Sequence, residues 1–441
     1  SDVCSSDLVA KGSQTKSEKR KRRKQKKKKK SREGEPRMGV LLSTPEKEKE
    51  CECFDDGRYL AYGTAAMQGW RTQMEDAHAM VPRLGAPAGD DKPPQAFFAV
   101  YDGHGGFEVS RFAAVHVHEL LAASPKYASG DVGGALVDSY IATDELMTSD
   151  EGVKELTSIR KKYGKGERPF PLSLTGAVGG GAQDVTSNMI GCTAVSCVVD
   201  LAKHVITCAN SGDSRCVVSV AGKPVALSTD HKPELDSESS RIEAAGGYIA
   251  NGRVNGNLNL TRSLGDHEYK GDKALPPEKQ IITCVPDITT HAIDDTTDFI
   301  ILGCDGIWDV MPNSDAVNFV RTHLLPKALL TAEELSLETL GRLAQEKDAM
   351  HDDDEQPAPW PGDVAKSLDE LLSLTASALI DQCLAPTTQC GIGCDNMSVC
   401  IVLFREGIFG KRVIAALNER LASTPAAKPD DAATPDEAMQ Q

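Results

Sequence analysis

Three apolar runs in this chain each abut an aspartate, and no other feature constrains its fold as tightly. Asp102 follows Phe97-Phe98-Ala99-Val100-Tyr101, and Asp305 follows Ile300-Ile301-Leu302-Gly303-Cys304. Asp395-Asn396 precedes Met397-Ser398-Val399-Cys400-Ile401-Val402. Such runs read as buried strands. A carboxylate at the end of a buried strand is costly if it stands alone, because desolvation disfavours its charge. Two readings stay open. Asp is a common turn residue where a strand meets solvent. Alternatively, the three carboxylates share an oxygen-preferring divalent cation such as Mg²⁺ or Mn²⁺.

The glycines sharpen the second reading. Asp102-Gly103 and Asp305-Gly306 put a residue without Cβ beside the carboxylate, and Gly103 could offer its carbonyl to an ion. His104 stands among Gly103, Gly105 and Gly106, either as a structural turn residue or as a proton donor. Upstream, Arg71 lies close before Glu75-Asp76 and His78. That spacing suits an exposed ion pair, or an Arg fork for a phosphoryl group. Asp213 and Asp309 are ambiguous between turn residues and further ligands.

The order of elements argues for one mixed α+β domain with loops, although 441 residues would allow two or three domains. A strand over 95–101 leads through the Gly-rich loop to an amphipathic helix carrying Phe107, Phe112, Val115, Val117, Leu120 and Leu121. Strands over 193–199, 204–209 and 215–220 read as an antiparallel meander. A helix over 237–245 stops at Gly246-Gly247. A strand over 299–303, a helix capped by Ser314, a helix near 367–382 and a strand over 398–404 complete the pattern. Residues 150–187 and 324–366 read as insertions, the first of them a loop. The tail from 421 reads as disordered.

Composition excludes several classes. Hydrophobic residues at 40%, with 38 glycines, are ordinary for a soluble globular chain and rule out collagen-like or wholly disordered sequences. No run approaches the roughly 18 apolar residues of a membrane span. The thirteen cysteines are scattered and mostly sit in apolar runs, which predicts free thiols in a reducing, intracellular compartment. Cys51, Cys53, Cys390 and Cys394 lack a standard zinc spacing.

Charge is split. The net charge is −16, but residues 1–37 carry 15 Lys+Arg against 5 Asp+Glu, leaving 34 against 60 in the remainder. The basic run K-R-K-R-R-K-Q-K-K-K-K-K at 19–30 has no means of burying a core and reads as disordered. A localisation signal, a polyanion-binding tail and non-native sequence are all open for it. Met38-Gly39-Val40-Leu41-Leu42-Ser43 fits a start codon followed by a myristoylation pattern, with Gly39 as the acceptor. One acyl chain would give only weak membrane association. The acidic remainder repels phosphate backbones, so no specific nucleic acid is expected as a partner.

Nine motifs, in order, resemble one family. They are G-W-R-T-Q-M-E-D-A-H (69–78), F-F-A-V-Y-D-G-H-G-G (97–106), G-C-T-A-V (191–195), A-N-S-G-D-S-R (209–215) and S-T-D-H-K-P (228–233). R-I-E-A-A-G-G (241–247), L-T-R-S-L-G-D (260–266), I-L-G-C-D-G-I-W-D-V (301–310) and C-D-N-M-S-V (394–399) follow. The chain resembles the metal-dependent, type 2C serine/threonine protein phosphatases over about 58–405. The resemblance implies an α+β fold, a four-layer α-β-β-α sandwich with two central antiparallel β-sheets.

It also implies roles. Asp102 bridges two Mn²⁺ or Mg²⁺ ions, with the Gly103 carbonyl on the first and Asp305 and Asp395 on the second. Glu75 and Asp76 act mainly through metal-bound waters, Arg71 receives the substrate phosphate, and His104 protonates the leaving oxygen. Asp213 and Asp309 match positions that help bind a weaker third ion. The expected partners are phosphorylated proteins, and the expected state is a monomer in cytoplasm or nucleus, partly at membranes if Gly39 is acylated. The alternative is an inactive phosphatase fold serving as a binding or regulatory module.

Overall fold

The strands that are apolar at every position are buried on both faces. In Gln95–Tyr101, Ala96, Phe98 and Val100 enter a core with Leu60, Tyr62, Val195, Ile206, Ile300 and Val402. The alternate residues Phe97, Ala99 and Tyr101 face the other way, onto Phe112, Val117 and Leu121. Thr297–Gly303 divides likewise, with Ile300 and Leu302 inward and Phe299 and Ile301 outward against Val317, Val320 and Leu372. The side-chain period of two therefore splits each run between two cores. Each fully buried Phe, Leu or Ile contributes about 1.5–3 kcal/mol.

These strands build two sheets. The first runs Leu41–Glu50, Leu60–Arg71, Met397–Phe404, Thr297–Gly303, Arg215–Val220, Lys223–Ala226, with Cys53–Asp55 also paired to Leu60–Arg71. The second runs Asp287–Ala292, Val205–Ser211, Ala194–Asp200, Gln95–Tyr101, Ala77–Val81. Helices Asn313–Leu324, Leu368–Cys383 and Ile408–Ser423 cover the first, and Glu108–Ala123 and Val132–Leu146 cover the second. Between the sheets lies the third core. This is the expected α-β-β-α sandwich, seen here in a computed structural model.

Register gathers the chemistry at one end. Met397 pairs with Met67, Gly303 with Val399, and Arg215 with Gly303, so Arg71, Asp395, Asp305 and Asp213 all adjoin one edge of the first sheet. In the second sheet Val100 pairs with Val195 and Ala194 with Ser211. Asp102 and Asp213 leave that sheet at the same end, on either side of Ala194–Asp200. A satellite cluster of Ile242, Val254, Tyr269 and Ile282 packs under helix Asp236–Ala244, which stops before Gly246 at φ +82°.

The structure describes residues 41–85, 93, 95–164, 185–331 and 360–423. The chain divides into two compact units, Ser1–Leu41 and Leu42–Gln441, and of the first only Leu41 is described. The basic leader, Met38 and Gly39 lie outside the described residues, as do 165–184, 332–359 and 424–441. No helix among the described residues is long and apolar enough to cross a membrane. The described cysteines are all free.

Four expectations are corrected. The meander expected over 193–220 divides between the sheets: Ala194–Asp200 and Val205–Ser211 pair in the second, whereas Arg215–Val220 crosses to the first and pairs with Thr297–Gly303. The loop assigned to 150–187 begins with a helix, Asp150–Tyr163. Ser149 Oγ accepts the Gly152 N–H at 3.0 Å, and Asp150-Glu151 at one end and Arg160-Lys161-Lys162 at the other suit the helix dipole. Leu156 is buried, and His116 Nε2 meets Glu155 at 3.0 Å. Ser314 caps nothing: Asn313–Leu324 follows Pro312, and Ser314 Oγ bonds Asp315 Oδ1 instead. The tail boundary at 421 falls inside helix Ile408–Ser423, which buries Val413 and Leu417. Within 324–366, Lys327–Leu329 and Pro361–Asp363 form single 3₁₀ turns.

Candidate active site

Arg71, the last residue of Leu60–Arg71, extends past its pairing partner and donates from Nη2 to Asp395 Oδ2 at 2.5 Å. Burial works against its charge, but Asp395, Asp305 and Asp102 outweigh it and hold the guanidinium protonated. The bland pairing with Glu75 is not what forms. Neighbouring Asn396, buried, accepts the Glu75 N–H at 2.9 Å and donates to the Gln68 and Gln73 carbonyls. His78 turns away, towards Glu52 at 3.7 Å.

Asp102 is fixed by its backbone. Its carbonyl accepts the Thr193 N–H at 2.8 Å, its own N–H donates to Thr193 Oγ1, and Thr193 Oγ1 meets Ser214 Oγ at 2.7 Å. Gly103 must lack a side chain, because a Cβ there would strike the Glu75 carbonyl. Burial and the charges of Asp305, Asp76 and Asp395 push the Asp102 carboxyl far above the usual range. Asp305 is raised in the same way by burial, Asp213 and Asp395. Burial takes Glu75 to about 7 and Asp76 to about 6. Asp76 Oδ2 accepts Ser398 Oγ at 2.7 Å, while Oδ1 is buried with no partner.

Asp305 opens the turn Asp305–Trp308, and the Asp309 N–H closes it on the Asp305 carbonyl at 2.8 Å. Both residues therefore lie on one helical face. Lys232 Nζ pairs with buried Asp213. His104 Nε2 meets Asp266 Oδ2 at 2.7 Å; burial opposes its charge, and Asp266 more than restores it. Every expected site residue among those described thus stands at this end of the sandwich.

The donors are oxygens throughout, and several charges are buried together. Such a set fits hard divalent cations, which would relieve both the mutual repulsion and the unpartnered Asp76 oxygen. As the side chains lie, no three His, Cys, Asp or Glu among the described residues enclose a metal-sized space.

A family model described as protein phosphatase 2C matches residues 60–160 and 181–351. The chain belongs to the protein phosphatase 2C family. Probable protein phosphatase 2C 11 of Oryza sativa subsp. japonica is 37% identical over 385 residues, 84% of this chain and 92% of that protein. Protein phosphatase 2C homolog 2 of Schizosaccharomyces pombe is 36% identical over 371 residues, covering 84% and 80%. A crystal structure of a phosphatase from a pathogenic strain of Toxoplasma gondii shares the fold, with a TM-score of 0.51 and 20% identity over 81% of this chain and 96% of that one. As a member of the 2C family the protein is an enzyme, a protein phosphatase.

Four residues of this 2C-type site escaped the sequence reading. Thr193, Lys232, Asp266 and Asn396 all lie inside motifs quoted for the resemblance, yet their types carry no chemical signal of their own. Only the fold shows that they touch Asp102, Asp213, His104 and Glu75.

Proposed function

We propose that the protein is an Mn²⁺- or Mg²⁺-dependent phosphatase that hydrolyses phosphoserine and phosphothreonine on proteins. The observation that carries this reading is the group of carboxylates at paired strand ends, in which Asp102 and Asp305 are raised by burial and by their neighbours. Asp102, the Gly103 carbonyl, Asp305 and Asp395 would hold two ions, with Glu75 and Asp76 supporting them, and Asp213 and Asp309 would serve a weaker third. When bound, such ions supply Lewis acidity, acidifying water and clamping phosphoryl oxygens.

The chain's own residues do the rest. Arg71 spends one guanidinium nitrogen on Asp395 and keeps the others for two phosphoryl oxygens, the fork geometry that Arg offers. His104 gives its proton to the departing seryl or threonyl oxygen. Water takes the phosphoryl group directly, so no nucleophilic side chain is required. The thiols agree with that: Cys304, beside the site, is pushed well above the usual range by burial and by Asp76 and Asp102.

The test is phosphate release from phosphoserine and phosphothreonine peptides by the full chain. Hydrolysis that needs Mn²⁺ or Mg²⁺ supports the reading, and a chain inert with both metals would favour a binding module. A myristoyl group on Gly39 would add weak membrane attachment to a cytoplasmic or nuclear enzyme, and the intact mass of the native protein tests that.

A further inference from the structure

Asp266 has no role in the mechanism so far, yet its carboxylate is buried against the residue assigned as the acid. It is 2% exposed, and its Oδ2 takes both His104 Nε2 at 2.7 Å and the Ser263 hydroxyl at 2.6 Å. Its backbone is left-handed at φ +50°, a conformation that is costly for a residue with a side chain. The surrounding loop is pinned to hold that shape. Asp266 N–H donates to the Ile190 carbonyl at 3.0 Å, and Gly265 N–H donates to Asp144 Oδ1 at 2.8 Å. Lys270 Nζ binds both Asp144 and the Ser263 carbonyl.

We propose that Asp266 is a positioning residue, orienting the His104 imidazole so that its other nitrogen faces the departing oxygen of the phosphorylated side chain. The inference rests on the phosphatase reading above and on His104 as its acid. With Nε2 held by Asp266, Nδ1 remains for the reaction, and it has no partner among the described residues. In the step, the phosphorus–oxygen bond breaks with its electrons passing to oxygen. That oxygen takes the Nδ1 proton, whose bonding pair stays on the ring. Asp266 remains ionised and keeps Nε2–H in place, which fixes both tautomer and ring plane.

Gly191 supports the same reading from the opposite side. A Cβ there would strike Asp266 Oδ2 and come within 2.6 Å of His104 Nε2. The bare backbone at this position leaves the pair room to form.

The experiment compares two substrates that differ in their need for an acid, using the full chain with saturating Mn²⁺. A phosphothreonine peptide leaves an alkoxide that must be protonated, whereas p-nitrophenyl phosphate leaves a stable phenolate. Asp266→Asn is expected to lower kcat on the peptide about 100-fold, the lower end for loss of acid catalysis, with KM within about twofold. Its kcat on p-nitrophenyl phosphate stays within about fivefold. Gly191→Ala shows the same split, and adding Asp266→Asn to His104→Gln costs nothing further.

Equal losses on both substrates, or additive losses in the double variant, overturn the inference. A variant that no longer melts cooperatively overturns it too, because Asp266 would then be holding the fold. If the wild-type chain fails on the peptide with Mn²⁺, the phosphatase reading itself is what has failed.

Discussion

The side-chain oxygen of Asn396 accepts the backbone N–H of Glu75 at 2.9 Å, across 321 positions of sequence. The same amide donates to the Gln68 and Gln73 carbonyls, so one buried side chain ties the Asp395 loop to the segment carrying Arg71, Glu75 and Asp76.

Asn396→Ala removes all three bonds at once. Each buried polar group left unpaired costs about 1–3 kcal/mol, so a loss of about 3 kcal/mol in unfolding free energy is expected by urea titration. The Mn²⁺ concentration for half-maximal activity should rise about tenfold, as when the support of a metal ligand is removed. An unchanged Mn²⁺ requirement would separate Asn396 from the ion site.

Asp144 and Lys270 set an acid limit on stability. Burial raises the Asp144 carboxyl, but Lys270 and His267 outweigh it and hold it at about 2, below the ordinary 3.8. A carboxyl depressed in the fold stabilises fully above its unfolded value and loses that contribution as pH falls from about 4 to 2. Asp144→Asn should therefore lower the urea midpoint near neutral pH, with the gap to wild type closing towards pH 2–3. A gap independent of pH contradicts the pairing.

The helix Asp150–Tyr163 depends on its first turn. Ser149→Ala removes the bond to Gly152 N–H and should cost about 1 kcal/mol, seen as faster amide exchange through Leu156. Exchange that is already fast in the wild type would restore the loop reading.

Thiol chemistry should be a bystander. Of the described cysteines, Cys51, Cys53 and Cys390 are exposed, and the other nine are buried. Iodoacetamide should label Cys51 and Cys390 first and Cys53 more slowly, because burial and Asp369 push its thiol up to about 11. Phosphatase activity should survive the labelling. Inactivation in step with labelling would argue for a catalytic thiol.

The sandwich was legible because its strands are covered twice. Phe97 through Tyr101 lack polar alternation for the same reason that Phe98 and Phe97 enter different cores. The carboxylates were legible because each sits directly beside such a run. Asp266 was not, since its partner His104 lies 162 positions away, and only the pairing of Gly103–His104 and of Leu264–Gly265 with Gly191–Cys192 brings them together. Helix Asp150–Tyr163 is hard to read in the sequence because its amphipathic pattern runs directly into 165–187, which is rich in Gly, Ser and Pro. Ser314 misleads because residue type alone suggests a cap, whereas Pro312 takes the cap position two residues earlier and the helix starts at Asn313.

The central claim is that the strand-end carboxylates make this chain a metal-dependent phosphatase, and Asp102 is where the charges of Asp305, Asp76 and Asp395 converge. The most direct measurement is phosphate release from a phosphothreonine peptide, with Mn²⁺ and with chelator, for wild type and Asp102→Ala. The account predicts hydrolysis by the wild type that chelator abolishes and Mn²⁺ restores, and at least a 100-fold loss in the variant, about 3 kcal/mol of transition-state stabilisation. Hydrolysis that persists in chelator, or full activity in Asp102→Ala, would contradict it.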